Sequence, residues 1–145
     1  MTGSQSVPLK DQLKRHEGRR LDLYKCPAGK WTIGYGRNLE ARGISRDEAE
    51  LMLDNDIKFY TEQVEKSLPW AKTDLNEARK SVLVNMAFNM GMVGLLGFKK
   101  MLAAARRGDY VSAAAEMVMS DWYQQVGPGR GGELTRQMAE GVEQG

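Results

Sequence analysis

Cysteine and histidine are nearly missing from this chain: Cys26 and His16 stand alone among 145 residues. A single thiol cannot close an intramolecular disulfide, which agrees with a reducing compartment. With one histidine and no Cys/His cluster there is no ligand set for a metal, and no cofactor is expected. Long apolar runs are lacking as well. None approaches the ~20 residues that cross a bilayer, so stable membrane insertion is not expected. The opening Met-Thr-Gly-Ser-Gln-Ser-Val-Pro has no basic stretch followed by an apolar core and does not read as a secretory signal. The expectation is a protein made and held in a cytoplasm, needing another agent to let it through an inner membrane.

What is present fits one globular domain. The length allows a core and a cleft, and the net charge is only +2. Positive charge is nevertheless crowded early: Lys10, Lys14, Arg15, Arg19, Arg20, Lys25, Lys30 and Arg37 lie in the first forty residues. Such a cluster favours an anionic polymer, or is simply a solvated face. No nucleic-acid motif or interleaving of aromatic and basic residues accompanies it, so nucleic acid is not an expected partner.

The chain is organised around residues 17–37. Gly18 can close a short helix in the left-handed conformation. Leu21 and Leu23, then Trp31, Ile33 and Tyr35, alternate as strands do, and Pro27-Ala28-Gly29 supplies the turn of a hairpin. Around this pair lie one acid at a helix end (Glu17), one thiol at the turn (Cys26) and one hydroxyl on the second strand (Thr32). Residues 1–7 read as disordered and Pro8 as first-turn proline. Leu9, Leu13 and Glu17 share a helical face, which aims the carboxylate with buried leucines. Such a group is either partly desolvated, which raises its pKa, or paired with Arg19, Arg20 or another arginine.

Residues 38–43 read as a loop. Ser45 with Glu48 forms a capping box for a helix to about Lys66, with Ala49, Met52, Leu53, Ile57, Tyr60 and Val64 on one face. Leu68-Pro69-Trp70 ends it. Thr73 or Asp74 is expected to cap the next helix, whose Val82–Phe88 segment is apolar nearly all round and so buried. Helices over about 98–107 and 110–119 follow, the latter with a Val111, Ala114, Ala115 and Val118 stripe. A glycine-rich loop over 127–132 precedes a last helix over 133–140. The fold class expected is α+β: a small N-terminal hairpin lobe (about 18–44), a long linking helix (about 45–67) and a larger helical lobe (about 73–141, with helix 8–17).

Glu17 with Tyr24-Lys25-Cys26-Pro27-Ala28-Gly29 and Thr32-Ile33-Gly34-Tyr35-Gly36 resembles the active-site signature of phage-type lysozymes, glycoside hydrolase family 24. The similarity continues through Asn85–Gly91, Gly97-Phe98 and Ser120–Tyr123, and so spans about Leu9 to Gly141. The resemblance implies a lysozyme-like fold and a monomeric endolysin. It would be a muramidase cutting the β-1,4 bond between N-acetylmuramic acid and N-acetylglucosamine in peptidoglycan, held in the host cytoplasm until released to the wall. It places the general acid at Glu17, in keeping with what an apolar-flanked helix-end carboxylate can do. It puts the water-positioning threonine at Thr32 and saccharide contacts at Phe88 and Asn89. Arg130, with Arg136 as rival, falls where relatives pair an arginine with the catalytic glutamate.

The family's second carboxylate falls on Cys26. A thiol of ordinary pKa, about 8.5, is mostly neutral at pH 7 and a weak base, unless Lys25 and Arg37 lower it. Cys26 is then a water-activating group, a transient nucleophile, or a small turn residue without a role. Arg37 replaces a histidine that is mainly structural in relatives. Two other readings remain open: a lytic transglycosylase, which needs only the glutamate, and an inactive wall-binding module. Inversion is the stereochemical outcome implied by the aspartate-bearing relatives.

Overall fold

The computed structural model describes residues 3–144, and it divides into two compact units, Met1–Leu51 and Met52–Gly145. The first unit opens on helix α1, Gly3–Glu17, which starts well before the expected Pro8 and contains that proline in its interior. Only residues 1 and 2 of the segment read as disordered lie outside the description. Gly18, at φ 73°, ends the helix by donating its N–H to the Lys14 carbonyl. Leu9 and Leu13 are not the buried leucines expected: they are 55% and 44% exposed.

The hairpin forms as read, with β1 (Arg20–Lys25) antiparallel to β2 (Trp31–Gly34) and Lys25 opposite Trp31. Its turn has a specific build. Gly29 N–H donates to the Cys26 carbonyl, Cys26 N–H donates to the Lys30 carbonyl, and Gly29 takes φ 79°. This is a three-residue loop in which proline sets the first corner and glycine supplies the left-handed third position. Residues 38–43 are not a loop. A third strand, β3 (Arg37–Asn38), pairs with β2, and Asn38 then caps the one-turn helix α2 (Leu39–Arg42) by accepting from Ala41 N–H.

The predicted capping box is present: Glu48 N–H donates to Ser45 Oγ at 3.1 Å and Ser45 N–H to Glu48 Oε1 at 2.7 Å. It opens α3, Arg46–Ser67, and the border between the units falls inside this helix. Arg37 grips the same Glu48 with both guanidinium nitrogens and donates to the Gly43 carbonyl at 3.1 Å. That fork ties the third strand to the start of α3. Among residues 7–51 only Thr32 is buried, so the first unit has no apolar core of its own.

The second unit is helical. After α4 (Pro69–Thr73), α5 (Glu77–Leu96) is capped by Asn76 rather than by Thr73 or Asp74, because the extra short helix carries the chain past those residues. Val82, Leu83, Met86 and Ala87 of α5 are wholly buried at the centre of the core, whereas Phe88 is 40% exposed, so the helix is not covered all round. Then come α6 (Lys99–Arg106) and α7 (Tyr110–Val118), capped by Asp109 as expected. The buried stripe of α7 is Ala113 and Met117, not Val111, Ala114, Ala115 and Val118. Three consecutive alanines leave its phase unmarked by size, and Val111 is 73% exposed.

The glycine-rich stretch is not a loop either. Helix α8 runs from Asp121 to Glu140, with a kink at Gly127 (φ 83°) and Pro128 restarting the helix after it. Arg79 closes the far end of α8, donating to the Met138 and Ala139 carbonyls at 2.7 and 2.9 Å while lying 3.6 Å over the Tyr110 ring.

Two stability predictions follow from these contacts. A Cβ on Gly131 would stand 2.8 Å from the Tyr123 ring, while one on Gly129 would meet nothing within 4 Å. Gly131→Ala should therefore lower stability by about 1–3 kcal/mol, and Gly129→Ala should be neutral or raise it by up to about 1 kcal/mol, both read by urea unfolding. The second concerns acid. Hydrogen bonds from Arg37, and then from Ser45, hold the Glu48 carboxyl down at about 2. A depressed carboxylate contributes stability above its unfolded pKa of about 4.3 that is lost as pH falls towards 2. Glu48→Gln should flatten that limb of the pH–Tm curve.

Candidate active site

Glu17 ends α1, where the turn between β2 and β3 approaches it. A Cβ built on Gly36 would lie 2.5 Å from Glu17 Oε1, so the carboxylate rests where any other residue at that position would put a side chain. The acid opens into a pocket of about 440 Å³ lined by Leu9, Leu13, Lys14, Tyr35 and Gly36, with the Lys14 ammonium 5.7 Å from the Tyr35 ring centre. The wall is largely apolar, but Glu17 itself is exposed. No arginine holds it: among the described residues, the ion pairs are those of Arg37, Lys80 and Arg107.

Cys26 is half-buried at the end of β1. The Lys30 backbone N–H, folded back by the turn, is the main influence holding its thiol below the ordinary value. Burial opposes the shift, and the Ala28 N–H adds to it, while the Thr32 hydroxyl proton is committed to the Lys30 carbonyl. These donors favour the thiolate as they would any anion. The cations expected to do this are occupied elsewhere: the Lys25 ammonium lies 4.9 Å over the Trp31 ring, and Arg37 is committed to Glu48.

Thr32 sits on the central strand, 2% exposed, and donates its hydroxyl proton to the Lys30 carbonyl at 2.8 Å. One residue, Lys30, thus offers its N–H to the sulfur and its carbonyl to the threonine. Among the described residues no group of three His, Cys, Asp or Glu is placed to hold a metal.

The other three sequence candidates belong to the second unit. Phe88 packs on Tyr60 with ring centres 5.6 Å apart and lines a pocket of about 460 Å³ with Leu53, Ile57, Val84, Asn85 and Arg130. Arg130 donates twice to Asn85 Oδ1, at 3.1 and 2.6 Å. It, and not the rival Arg136, lines this pocket. Asn89 is exposed, yet its Oδ1 accepts from the buried Trp122 Nε1–H at 3.1 Å, which gives it a structural duty besides any contact with sugar. Asn85 is the residue that sequence reasoning missed. Its signal was present, since it lies one helical turn before Phe88 and Asn89.

Comparison with known proteins bears on the chain as a whole. The phage lysozyme family model matches residues 14–140. An endolysin of Acyrthosiphon pisum secondary endosymbiont phage 1 is 34% identical over 109 residues, covering 73% of this chain and 72% of its own. Probable T4-type lysozyme 1 of Dictyostelium discoideum is 29% identical over 146 residues, covering 81% and 86%. The pre-baseplate central spike protein Gp5 of Enterobacteria phage T4 is 28% identical over 90% of this chain but only 27% of its own length.

The thiol's hydrogen bonds make a testable claim. Alkylation of Cys26 by iodoacetamide should titrate below the ordinary thiol value.

Proposed function

The chain belongs to the phage lysozyme family, a peptidoglycan-lytic glycoside hydrolase, and from that premise we propose the bond and the chemistry. The substrate bond is the β-1,4 linkage from N-acetylmuramic acid to N-acetylglucosamine, and the biological setting is lysis of a bacterial host after release from its cytoplasm. Glu17 gives its proton to the leaving O4 of N-acetylglucosamine. On the opposite face, water attacks the anomeric carbon and loses its proton to the Cys26 thiolate. Thr32 Oγ1, its own proton directed at the Lys30 carbonyl, keeps lone pairs with which to accept from that water. Phe88 offers an apolar surface to a sugar ring, and Asn89 and Arg130 offer donors to its substituents.

The observation that carries this reading is the turn that closes Cys26 against Lys30, whose backbone N–H is the main influence holding the thiol below its ordinary value. A lowered thiol carries more thiolate, the form that can accept the water's proton, at the position where the family's aspartate is absent. The endolysin and the T4-type lysozyme among the relatives, with the family match, support the substrate class.

The test is a rate comparison on purified peptidoglycan with product analysis. Glu17→Gln should lose about 10²- to 10⁴-fold and Cys26→Ser about 10²-fold or more, with Cys26→Asp recovering much of the loss. New reducing ends are the expected product. A 1,6-anhydro end would instead assign a transglycosylase, and a harmless Cys26→Ser would remove the thiol from the mechanism.

A further inference from the structure

The small sheet shows an unusual amount of aliphatic surface. Leu21 is 75% exposed, Leu23 51% and Trp31 43%. Lys25 and Trp31 are direct partners across the ladder and in cation–π contact, so they share a face. Leu21 and Leu23 lie exposed on the same strand, in the stretch where its register against β2 shifts. Arg20 lies 4.3 Å over the Tyr24 ring. Exposed Lys30 flanks the indole, and residues 19–31 carry Arg19, Arg20, Lys25 and Lys30 against Asp22 alone. Glu40 accepts the Trp31 backbone N–H at 2.6 Å.

We infer that this face docks peripherally on an anionic lipid bilayer. Charge and apolar character together select that occupant. An anionic glycan or nucleic acid would use the lysines and the indole but gain nothing from two adjacent leucines, whereas hydrocarbon does. An indole settles at headgroup depth, and lysine stems lie along apolar surface while their ammonium groups reach lipid phosphate. Each lysine near such a surface is worth about fivefold in partitioning. Among the described residues no single helix is long and apolar enough to cross a bilayer, so this contact lies on the surface and reverses. The leucines take no part in the proposed chemistry, so docking and hydrolysis can fail separately.

Flotation of the full chain with vesicles of phosphatidylcholine plus phosphatidylglycerol, against phosphatidylcholine alone, tests the inference. The anionic vesicles should bind the protein, more weakly as salt rises. Bromine-labelled lipid should quench a fluorescence component that Trp31→Phe lacks. The double variant Leu21→Ser/Leu23→Ser should bind at least about tenfold more weakly while hydrolysing purified peptidoglycan at the wild-type rate, and Lys25→Gln should lose about fivefold. Absence of binding to anionic vesicles, or binding unchanged in the double variant, overturns the inference. So does a dimer that the double variant dissociates, which would mean the face covers a second copy, or loss of retention on purified sacculi alone, which would mean it serves the wall.

Discussion

The sulfur of Cys26 is held by a peptide turn, and much of the first unit follows from that. Pro27 and Gly29 close the loop so tightly that the Lys30 N–H comes back onto the thiol while the Lys30 carbonyl accepts from both Cys26 N–H and Thr32 Oγ1. Backbone donors are fixed in place before any substrate arrives, and they cannot swing away into solvent as a lysine does. Because the turn supplies this stabilisation, the nearby cations are released for other work. Lys25 lies over Trp31, and Arg37 fastens the third strand to Glu48.

Each unit is held together internally by different physics. The second has a core of wholly buried aliphatic and thioether side chains centred on α5, to which Trp122 is attached by the Asn89 amide. In the first, the residue buried among 7–51 is a threonine. Its coherence rests on the β ladder, the Arg37–Glu48 fork, the reciprocal Ser45–Glu48 cap and cation–π stacks on Tyr24, Trp31 and Tyr35. Such an assembly leaves its leucines outside, where hydrophobic burial would ordinarily have drawn them in.

How much was legible in the sequence follows from which signals act locally. The hairpin, the Ser45–Glu48 box and the Asp109 cap rest on residues within a few positions of one another, and all were read correctly. The third strand was missed because it is two residues long and defined by its partner, and α2 because one asparagine caps it. The phase of α7 was lost in an alanine run. The candidate site was legible as a set of residues through the family resemblance. Its electrostatics were not: the donors to Cys26 are backbone groups that no side-chain pattern announces, and the cations that stood out turned out to be engaged. Nor did the shared helical face of Leu9, Leu13 and Glu17 reveal that all three would be exposed.

Glycine shows the same limit most clearly, because one letter stands for two unrelated constraints. At Gly29 the requirement is conformational: the turn needs φ 79°, and the space around it is open. At Gly36 space is required too, since a side chain would displace the Glu17 carboxylate. At Gly131 the backbone is ordinary helix and the requirement is purely steric, set by a tyrosine two turns earlier that packs where a methyl group would go. Read as conformational, the 127–132 cluster becomes a loop; read as steric, it becomes the helix that is observed. Tyr123 and Gly131 lie on opposite sides of the Gly127 kink, so the bend brings the ring onto the glycine and helical spacing alone does not announce the contact.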